Sequence, residues 1–140
     1  MRIEKRELDD NLEKIMQEEY LKEENKYNIQ YNFNSFCFVA YKDNNVLGII
    51  TGYSYYKEVY IDDLVVKKEF RQKGVGTKLV KTIEEYFKGK GFDNINLCTN
   101  GFQAPKFYEK CGFKLEFVRK NKNNPNFDKY FYVKFLEWLW

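Results

Sequence analysis

The segment RQKGVGTKLV, residues 71–80, places Gly74 and Gly76 one residue apart, directly before a stretch with helical spacing. Glycine lets the backbone approach a ligand closely, and the free amides of a first helical turn carry partial positive charge. Basic residues crowd this end of the segment: Lys67, Lys68, Arg71, Lys73, Lys78 and Lys81. This pattern favours a loop that binds a polyanion, and the alternative is a flexible turn with solvated lysines.

Two familiar phosphate-binding loops do not match this spacing. A Walker loop needs a glycine, four further residues and then Gly-Lys-Ser/Thr, and GVGTK lacks that order. A dinucleotide-binding fingerprint needs a third glycine three residues after the second, where the chain has Leu79. The remaining interpretation is a strand, a short basic loop and then Arg-x-x-Gly-x-Gly at the start of a helix.

A pair of carboxylates, Asp62 and Asp63, lies within the otherwise apolar segment VYIDDLVV. Consecutive strand residues point to opposite faces, so at most one of the two enters a given cleft unless a bulge intervenes. An unpaired carboxylate buried in a central strand is energetically costly, which favours a functional role. The alternative is a carboxylate paired with a lysine at the solvated end of the strand.

The chain contains no histidine. Ser-His-Asp and Cys-His catalytic pairs are therefore excluded, and without a CxxC motif most zinc sites are excluded too, so we expect no metal centre. Any catalysis has to use carboxylates, tyrosine, cysteine, lysine or backbone amides. Cys98 is then better interpreted as an inert buried thiol than as a covalent nucleophile.

The composition predicts one globular domain over residues 1–140, since 44% of the chain is hydrophobic and 19% aromatic. The net charge of +3 is too small to indicate a nucleic-acid partner. The charged N-terminus does not look like a secretion signal, and no apolar run reaches the roughly 18 to 20 residues that span a bilayer. Three widely spaced cysteines are typical of reduced thiols. We therefore expect a cytoplasmic protein with neither a membrane nor a nucleic acid as partner.

Helical and strand patterns alternate along the chain. LDDNLEKIMQEEYLKEE predicts an amphipathic helix, and SFCFVAYKDNNVLGIITGYSYY predicts two strands joined by a turn at KDNN. EVYIDDLVV predicts a third strand. From Gly74 onward apolar residues recur every four positions, which predicts a helix that ends near GKGF. NINLC, FKLEFV and KYFYVKFL predict further strands, with a short helix at APKFYEKC. The result is a mixed α/β layer structure.

Two motifs resemble those of the GNAT superfamily of acyl-CoA-dependent N-acetyltransferases. VVKKEFRQKGVGTKLV resembles its acetyl-CoA-binding motif, and NGFQAPKFYEKCGF resembles its second signature, a short helix with Ala-x-x-x-Tyr that closes on Gly-Phe. IQYNF and FQAPKFYEKCGF are also similar to a bacterial subgroup of uncharacterised members. The resemblance implies a single α/β (α+β) domain, with a mixed, mostly antiparallel sheet that is flanked by helices and splays where acetyl-CoA enters.

The resemblance also implies which residues bind acetyl-CoA, the co-substrate. The pyrophosphate would lie on the loop Arg71, Gln72, Lys73, Gly74, Val75 and Gly76, with a hydroxyl from Thr77. The pantetheine arm would pair with the backbone of Leu64, Val65 and Val66, because an extended arm that contains amides can form hydrogen bonds with a strand edge. The alternative for the two valines is plain core packing. Family members commonly have Asn-x-x-Ala before the tyrosine, but NGFQA is one residue longer. Asn100, Gln103 and Ala104 are thus candidate acetyl-CoA ligands, and Gln103 could contact the pantetheine arm in place of Asn100.

Three residues are candidates for catalysis. Tyr108 matches the tyrosine that protonates the leaving thiolate in many members, a transfer that is uphill by only about 1.5 pKa units in water. The alternative is a structural role, since the chain has 12 tyrosines. Acidic residues of the family often bind or deprotonate the amine, which implies Asp62 as the base or water-orienting group and Asp63 as a substrate contact. The expected reaction is direct attack by a primary amine in a ternary complex.

Other functions remain open at this point. A protein that senses acyl-CoA without turnover would need the same glycine loop but would tolerate the loss of Tyr108. A nucleic-acid-binding domain would depend on RKNKNN and the aromatic residues. The acceptor is a small molecule or a protein amine, and Asp62, Asp63 and Glu58 favour a cationic one. The apolar C-terminus FLEWLW either completes the core or forms a homodimer contact.

Overall fold

The computed structural model describes residues 1–136, and its internal contacts divide the chain into two units. The first unit, Met1–Asn32, contains helix α1 (Asp10–Lys26). The side chain of Asp9 accepts a hydrogen bond from the amide of Leu12 at 2.8 Å, which satisfies one of the free donors of the first turn. The predicted N-terminal helix is confirmed, whereas one domain for residues 1–140 stays a prediction.

The second unit begins at Phe33 and contains a six-stranded sheet. Its elements are β1 (Asn34–Lys42), β2 (Asn45–Tyr55), β3 (Glu58–Val66), α2 (Val75–Phe87), β4 (Asn94–Asn100), α3 (Lys106–Lys110), β5 (Lys114–Arg119) and β6 (Lys129–Phe135). The strand order is β1-β2-β3-β4-β6-β5, and β3 and β4, which α2 connects, are the parallel pair among antiparallel neighbours. The predicted mixed, mostly antiparallel sheet is confirmed.

Helix α2 supplies much of the core of this unit. Its apolar residues recur on one side, and Leu79, Ile83 and Phe87 are buried in the same cluster as the sheet residues Ile50 and Val59. Burial of such a stripe against a sheet, more than helix propensity, holds a helix of this length in place. The predicted helix from Gly74 to the GKGF segment is therefore confirmed.

The sheet opens between β3 and β4. The two strands pair at three positions, Glu58–Tyr60 with Asn94–Asn96, and then run on without pairing to Val66 and Asn100. The expected splay of the sheet is thus present, and it leaves one edge of β3 facing an opening. A strand edge of this kind presents amide and carbonyl groups to whatever occupies the opening.

A β-bulge interrupts the pairing of β2 with β3 next to this opening. Thr51 lies opposite Asp63 and Gly52 opposite Ile61, so Asp62 is the extra residue. The bulge that would let both aspartates reach one cleft is present. We use the term outer face for the side of the sheet that carries the cross-strand pairs Thr51–Asp63, Tyr53–Tyr60 and Tyr55–Glu58.

Two further features concern the whole described chain. Within residues 1–136 no helix combines the length and the apolar character needed to cross a bilayer. Of the apolar C-terminal segment, Phe135 is exposed and Leu136 is buried, while residues 137–140 lie outside the described residues. The predicted contribution of that segment to a core or a homodimer therefore stays a prediction.

Candidate active site

A cavity of about 440 Å³ opens at the N-terminus of α2. We call it the glycine-loop cavity, because the end of β3, residues 71–74, the first turn of α2 and helix α3 all contribute to its wall. Its lining comprises Leu64, Val66, Phe70, Arg71, Gln72, Gly74, Val75, Gly76, Thr77, Gln103, Ala104, Phe107, Tyr108 and Lys110. The structure therefore gathers residues of both sequence motifs around one space.

The backbone of this cavity is shaped to present amides. Gly74 caps α2 with φ 84°, a left-handed conformation that glycine adopts without strain. The amide of Lys78 already donates to the carbonyl of Gly74 at 3.0 Å. Helix geometry leaves the preceding amides of Val75, Gly76 and Thr77 without an intrahelical acceptor. Because the helix N-terminus also carries partial positive charge, these amides suit an anionic group.

Two residues other than glycine adopt left-handed conformations in the wall of the cavity. Gln72 has φ 61° and Ala104 has φ 55°. Side chains rarely adopt this conformation, and such strain tends to persist at functional sites. Both residues are among the predicted cofactor ligands, and the sequence alone carries no sign of this strain.

Close packing fixes the loop between β3 and α3. The Arg71 Nε donates a hydrogen bond to the carbonyl oxygen of Val66 at 3.0 Å, which ties the loop to the end of β3. A Cβ atom on Gly76 would lie 3.2 Å from the ring of Phe107. A side chain at position 76 would therefore require the Phe107 ring to shift by a few tenths of an ångström, so Gly76 suits the close approach of α2 and α3.

A second, smaller cavity of about 140 Å³ lies in the opening between β3 and β4. We call it the acidic cavity because Asp62 and Asp63 both line it; Cys98 borders it as well. Its lining shares Leu64, Gln103 and Tyr108 with the glycine-loop cavity. The two cavities therefore adjoin at Tyr108.

Tyr108 is surrounded by apolar and aromatic groups. The residue is 9% exposed, and its ring centroid lies 5.1 Å from that of Phe107 and 5.9 Å from that of Phe113. Burial, with a smaller contribution from Cys111, raises the pKa of Tyr108 to about 12. The phenol is therefore protonated at neutral pH and available as a hydrogen-bond donor. The difference between the pKa of this phenol and the thiol pKa of roughly 8.5 is therefore about 3.5, wider than the difference of about 1.5 expected from the ordinary pKa values.

The two aspartates are exposed, so the expectation of a buried carboxylate in a central strand was wrong. The bulge places them at the rim of the opening, where water reaches them. Asp63 Oδ2 accepts a hydrogen bond from Thr51 Oγ1 at 3.4 Å. Within residues 1–136 neither aspartate forms an ion pair, so the alternative of a lysine-paired carboxylate finds no support there.

Asn100 and Gln103 differ in position although they belong to one motif. The Asn100 amide donates to Gln103 Oε1 at 3.0 Å, and the Asn100 side chain accepts a hydrogen bond from the Gln103 amide. This reciprocal pair caps the short turn Gly101–Gln103. Asn100 lines neither of the two cavities, whereas Gln103 lines both. The geometry favours Gln103 as the ligand and Asn100 as the residue that positions it.

The other two predicted ligands lie outside the glycine-loop cavity. Val65 is 56% exposed and lines the acidic cavity, so core packing does not describe it. The amide of Lys67 donates to the carbonyl oxygen of Leu47 at the β2 side of the strand, at 2.9 Å. Because successive amides of a strand point in opposite directions, the Val65 amide also points to β2. The amides of Leu64 and Val66 point the other way, into the opening. Lys73 lines a separate cavity beside β1, with its ammonium 5.9 Å from the ring centroid of Phe70.

Three lining residues were missed by the sequence analysis. Phe70 belongs to the motif VVKKEFRQKGVGTKLV, and Phe107 and Lys110 belong to the predicted helix APKFYEKC. A usable signal was present for the last two, since positions three apart lie on the same side of a helix. Lys110 on α3 adds a positive charge to the lining, which makes the cavity more favourable for an anion.

Comparison with known proteins agrees with this geometry. Residues 5–113 match the model of the Acetyltransferase (GNAT) family. The chain belongs to this family. The resemblance inferred from the two motifs is thereby confirmed. A Xenopus laevis protein named "Probable N-acetyltransferase camello" is 33% identical over 111 residues, which cover 75% of this chain and 49% of that protein. The chain spans about half the length of the curated relatives it matches.

Solved structures of GNAT proteins share the fold. An acetyltransferase from Bacillus cereus superposes with a TM-score of 0.78 at 23% identity, over 96% of this chain and 98% of that one. A candidate streptothricin acetyltransferase from Bacillus anthracis, solved in complex with acetyl coenzyme A, has a TM-score of 0.65 at 26% identity. That match covers 74% of this chain and 63% of the other.

Proposed function

We propose that the protein transfers the acetyl group of acetyl-CoA to a primary amine by direct attack in a ternary complex. The observation that carries this proposal is that the glycine-loop cavity and the acidic cavity meet at Leu64, Gln103 and Tyr108. One cavity suits an anionic nucleotide and the other a cation. Membership of the GNAT family and the acetyl coenzyme A held by the Bacillus anthracis neighbour support acetyl-CoA as the donor.

The cofactor would lie with its pyrophosphate on the amides of Val75, Gly76 and Thr77. Lys110 supplies a positive charge at the facing wall. The pantetheine arm would follow the free edge of β3, where the amides of Leu64 and Val66 are directed into the opening. One of these two amides, rather than that of Val65, would then donate to the oxyanion.

The acceptor amine would enter from the acidic cavity. An alkylammonium ion with a pKa near 10.4 must lose a proton before it attacks, which costs roughly 4 to 5 kcal/mol at neutral pH. Asp62 or a water molecule that it orients would take this proton, and Asp63 would hold the cation in place. Exposure of both carboxylates gives the proton a route to solvent.

Tyr108 would assist the leaving group. As the C–N bond forms and the C–S bond breaks, negative charge develops on sulfur, and the phenol donates a hydrogen bond to it and then the proton. The pKa gap closes if the apolar cleft also raises the pKa of the CoA thiol. The nearby Cys111 supports this, because burial raises the pKa of its thiol, against a smaller opposing effect of the hydrogen bond with Thr77.

A cytoplasmic location belongs to the same proposal. Cys37, Cys98 and Cys111 are all free thiols, which is typical of a reducing compartment and supports the expectation from the sequence.

Release of CoA thiol from acetyl-CoA, measured against a panel of primary amines, tests the proposed function. Amine-dependent release with formation of the N-acetyl product is the expected result. Tight binding of acetyl-CoA with no release across small amines, polyamines and lysine peptides would contradict it and would favour a non-catalytic acyl-CoA sensor.

A further inference from the structure

A further cavity, of about 260 Å³, lies on the outer face at the tip of the β2–β3 hairpin. We call it the tyrosine cavity, because Tyr53, Tyr55, Tyr56 and Tyr60 line it. The rings of Tyr55 and Tyr56 stack at 4.0 Å with their hydroxyls 3.0 Å apart, and those of Tyr53 and Tyr60 lie 5.3 Å apart. Aromatic faces grouped in this way attract cations through their negative quadrupole.

The tyrosine cavity and the acidic cavity lie in one row on the outer face. The pair Tyr53–Tyr60 stands between the pair Tyr55–Glu58 at the hairpin tip and the pair Thr51–Asp63 at the acidic cavity. On β2, which lacks the extra residue, Thr51 and Tyr55 are four residues apart, or about 13 Å along the strand. The backbone positions that carry Glu58 and Asp63 thus lie about that far apart, with the Tyr53–Tyr60 pair between them.

The charges of this row favour a cation at both ends. Glu58, Asp62 and Asp63 supply three negative charges, and Lys57, which also lines the tyrosine cavity, supplies one positive charge. Glu58 is held in place because Asn96 Nδ2 donates to its Oε1 at 2.8 Å. Burial, followed by the neighbouring Cys98, Tyr53 and the two aspartates, raises the pKa of Tyr60, which places that phenol in the same negative field.

The hairpin tip keeps an aromatic ring at a strained backbone position. Tyr56 has φ 52°, which glycine or asparagine adopts far more readily in a two-residue turn. Its ring nevertheless stacks on Tyr55 in the wall of the tyrosine cavity. Strained residues of this kind cluster at active sites and ligand clamps.

We propose that the tyrosine cavity binds a second ammonium group of the acceptor, so that the acceptor is an extended diamine or polyamine. Its reacting amine occupies the acidic cavity, its hydrocarbon chain lies across the Tyr53–Tyr60 pair, and its distal ammonium lies between Glu58 and the tyrosine rings. The conclusion that the distal ammonium belongs to the acceptor rests on the proposed acetyltransferase function. The binding of a diamine to the tyrosine cavity does not depend on that function.

Diaminooctane and aminooctanol form a matched pair of probes, since they have the same length and differ in the charge of one end. Dissociation constants are measured by isothermal titration calorimetry with CoA present, and kcat/KM by thiol release with acetyl-CoA. Diaminooctane should bind about tenfold more tightly than aminooctanol, with a similar ratio in kcat/KM carried mainly by KM. Diaminobutane, which is too short to reach both ends, should show no such advantage over aminobutanol.

A variant at the hairpin-tip end of the row and a matched control elsewhere make the result specific. Glu58→Gln should bring the diaminooctane to aminooctanol ratio close to one, whereas Glu85→Gln, which removes the same charge from an exposed position on α2, should leave the ratio unchanged. Equal affinities for the two probes in the unaltered protein would overturn the proposal. Absence of turnover with every amine would contradict the acetyltransferase function, and the calorimetric ratio would still decide whether the tyrosine cavity binds the second ammonium.

Discussion

Lys134 on β6 and Glu84 on α2 form an ion pair of 2.8 Å, and the same ammonium donates to the carbonyl oxygen of Cys111 at 2.9 Å. Cys111 is the residue that ends α3, the helix that bears Tyr108. One partly buried cation therefore joins α2, β6 and the C-terminal end of α3. The position of Tyr108 relative to the glycine loop depends on this junction as well as on the packing of its ring.

Removal of this cation should destabilise the protein. Lys134→Met keeps the length of the side chain but leaves Glu84 and the Cys111 carbonyl without their donor, and we expect the free energy of unfolding to fall by about 1 to 3 kcal/mol. Urea unfolding followed by circular dichroism measures the change. Lys129→Met, at an exposed position of the same strand, is the control and should change stability by less than about 0.5 kcal/mol. Equal losses in both variants would contradict the role of the junction.

The glycine at the start of α2 should matter for the ligand as well as for the backbone. Gly74→Ala introduces a side chain at φ 84° without a steric contact, and Gly91→Ala does the same at φ 90° in the turn after α2. Each should cost about 1 kcal/mol of stability. If the loop amides bind the pyrophosphate, Gly74→Ala alone should weaken CoA binding, by about tenfold in calorimetry. A parallel loss of affinity in Gly91→Ala would show that global stability, and not the loop, sets the affinity.

Tyr108→Phe should separate catalysis from cofactor binding. The ring packing is retained and the hydroxyl is lost, so we expect kcat to fall about a hundredfold or more while the dissociation constant of CoA changes less than about threefold. Steady-state kinetics over a pH range, together with calorimetry, measures both quantities. A kcat that matches the unaltered protein at every pH would remove Tyr108 from the chemistry.

The buried phenols should make the protein sensitive to alkali. Burial raises the pKa of Tyr108 to about 12, and burial together with the hydrogen bond to Glu109 raises that of Tyr132 to about 12 as well. Because the folded pKa values exceed the unfolded value near 10, their contribution is complete below about pH 10 and is lost between about pH 10 and 12. Each phenol accounts for at most about 2.7 kcal/mol.

Urea unfolding at a series of pH values above about 9 tests this expectation. The free energy of unfolding should decline steeply from about pH 10, and Tyr108→Phe should reduce that slope by the contribution of one proton. A stability that is independent of pH up to about 11, or an unchanged slope in Tyr108→Phe, would argue against a buried protonated phenol at this position.

Much of the fold was predictable because hydrophobic periodicity and turn residues determine it locally. The four-residue repeat Val75, Leu79, Ile83 and Phe87 defines α2, and the turn after Lys42 separates β1 from β2. The left-handed cap at Gly74 was predictable because it is a local backbone feature of the helix start, whereas the close contact of Gly76 with Phe107 joins residues that are distant in the sequence.

The details of the site depended on information that local patterns do not contain. A bulge at Asp62 arises from the register between two strands, so the sequence left open which carboxylate enters the cleft and wrongly suggested burial. Asn100 and Gln103 cap the same turn, and this arrangement places Gln103, not Asn100, at the cavity. The arrangement depends on the motif NGFQA, which is one residue longer than the family pattern. The pKa of Tyr108 depends on rings from several elements, which no short motif records.

A crystal structure of the complex with CoA tests the central claim most directly. The pyrophosphate should lie on the amides of Val75, Gly76 and Thr77, and the sulfur should lie within hydrogen-bonding distance of the Tyr108 hydroxyl, facing Asp62 and Asp63 across the opening between β3 and β4. CoA bound at another surface, or in this cavity with its sulfur pointing away from Tyr108, would contradict the account.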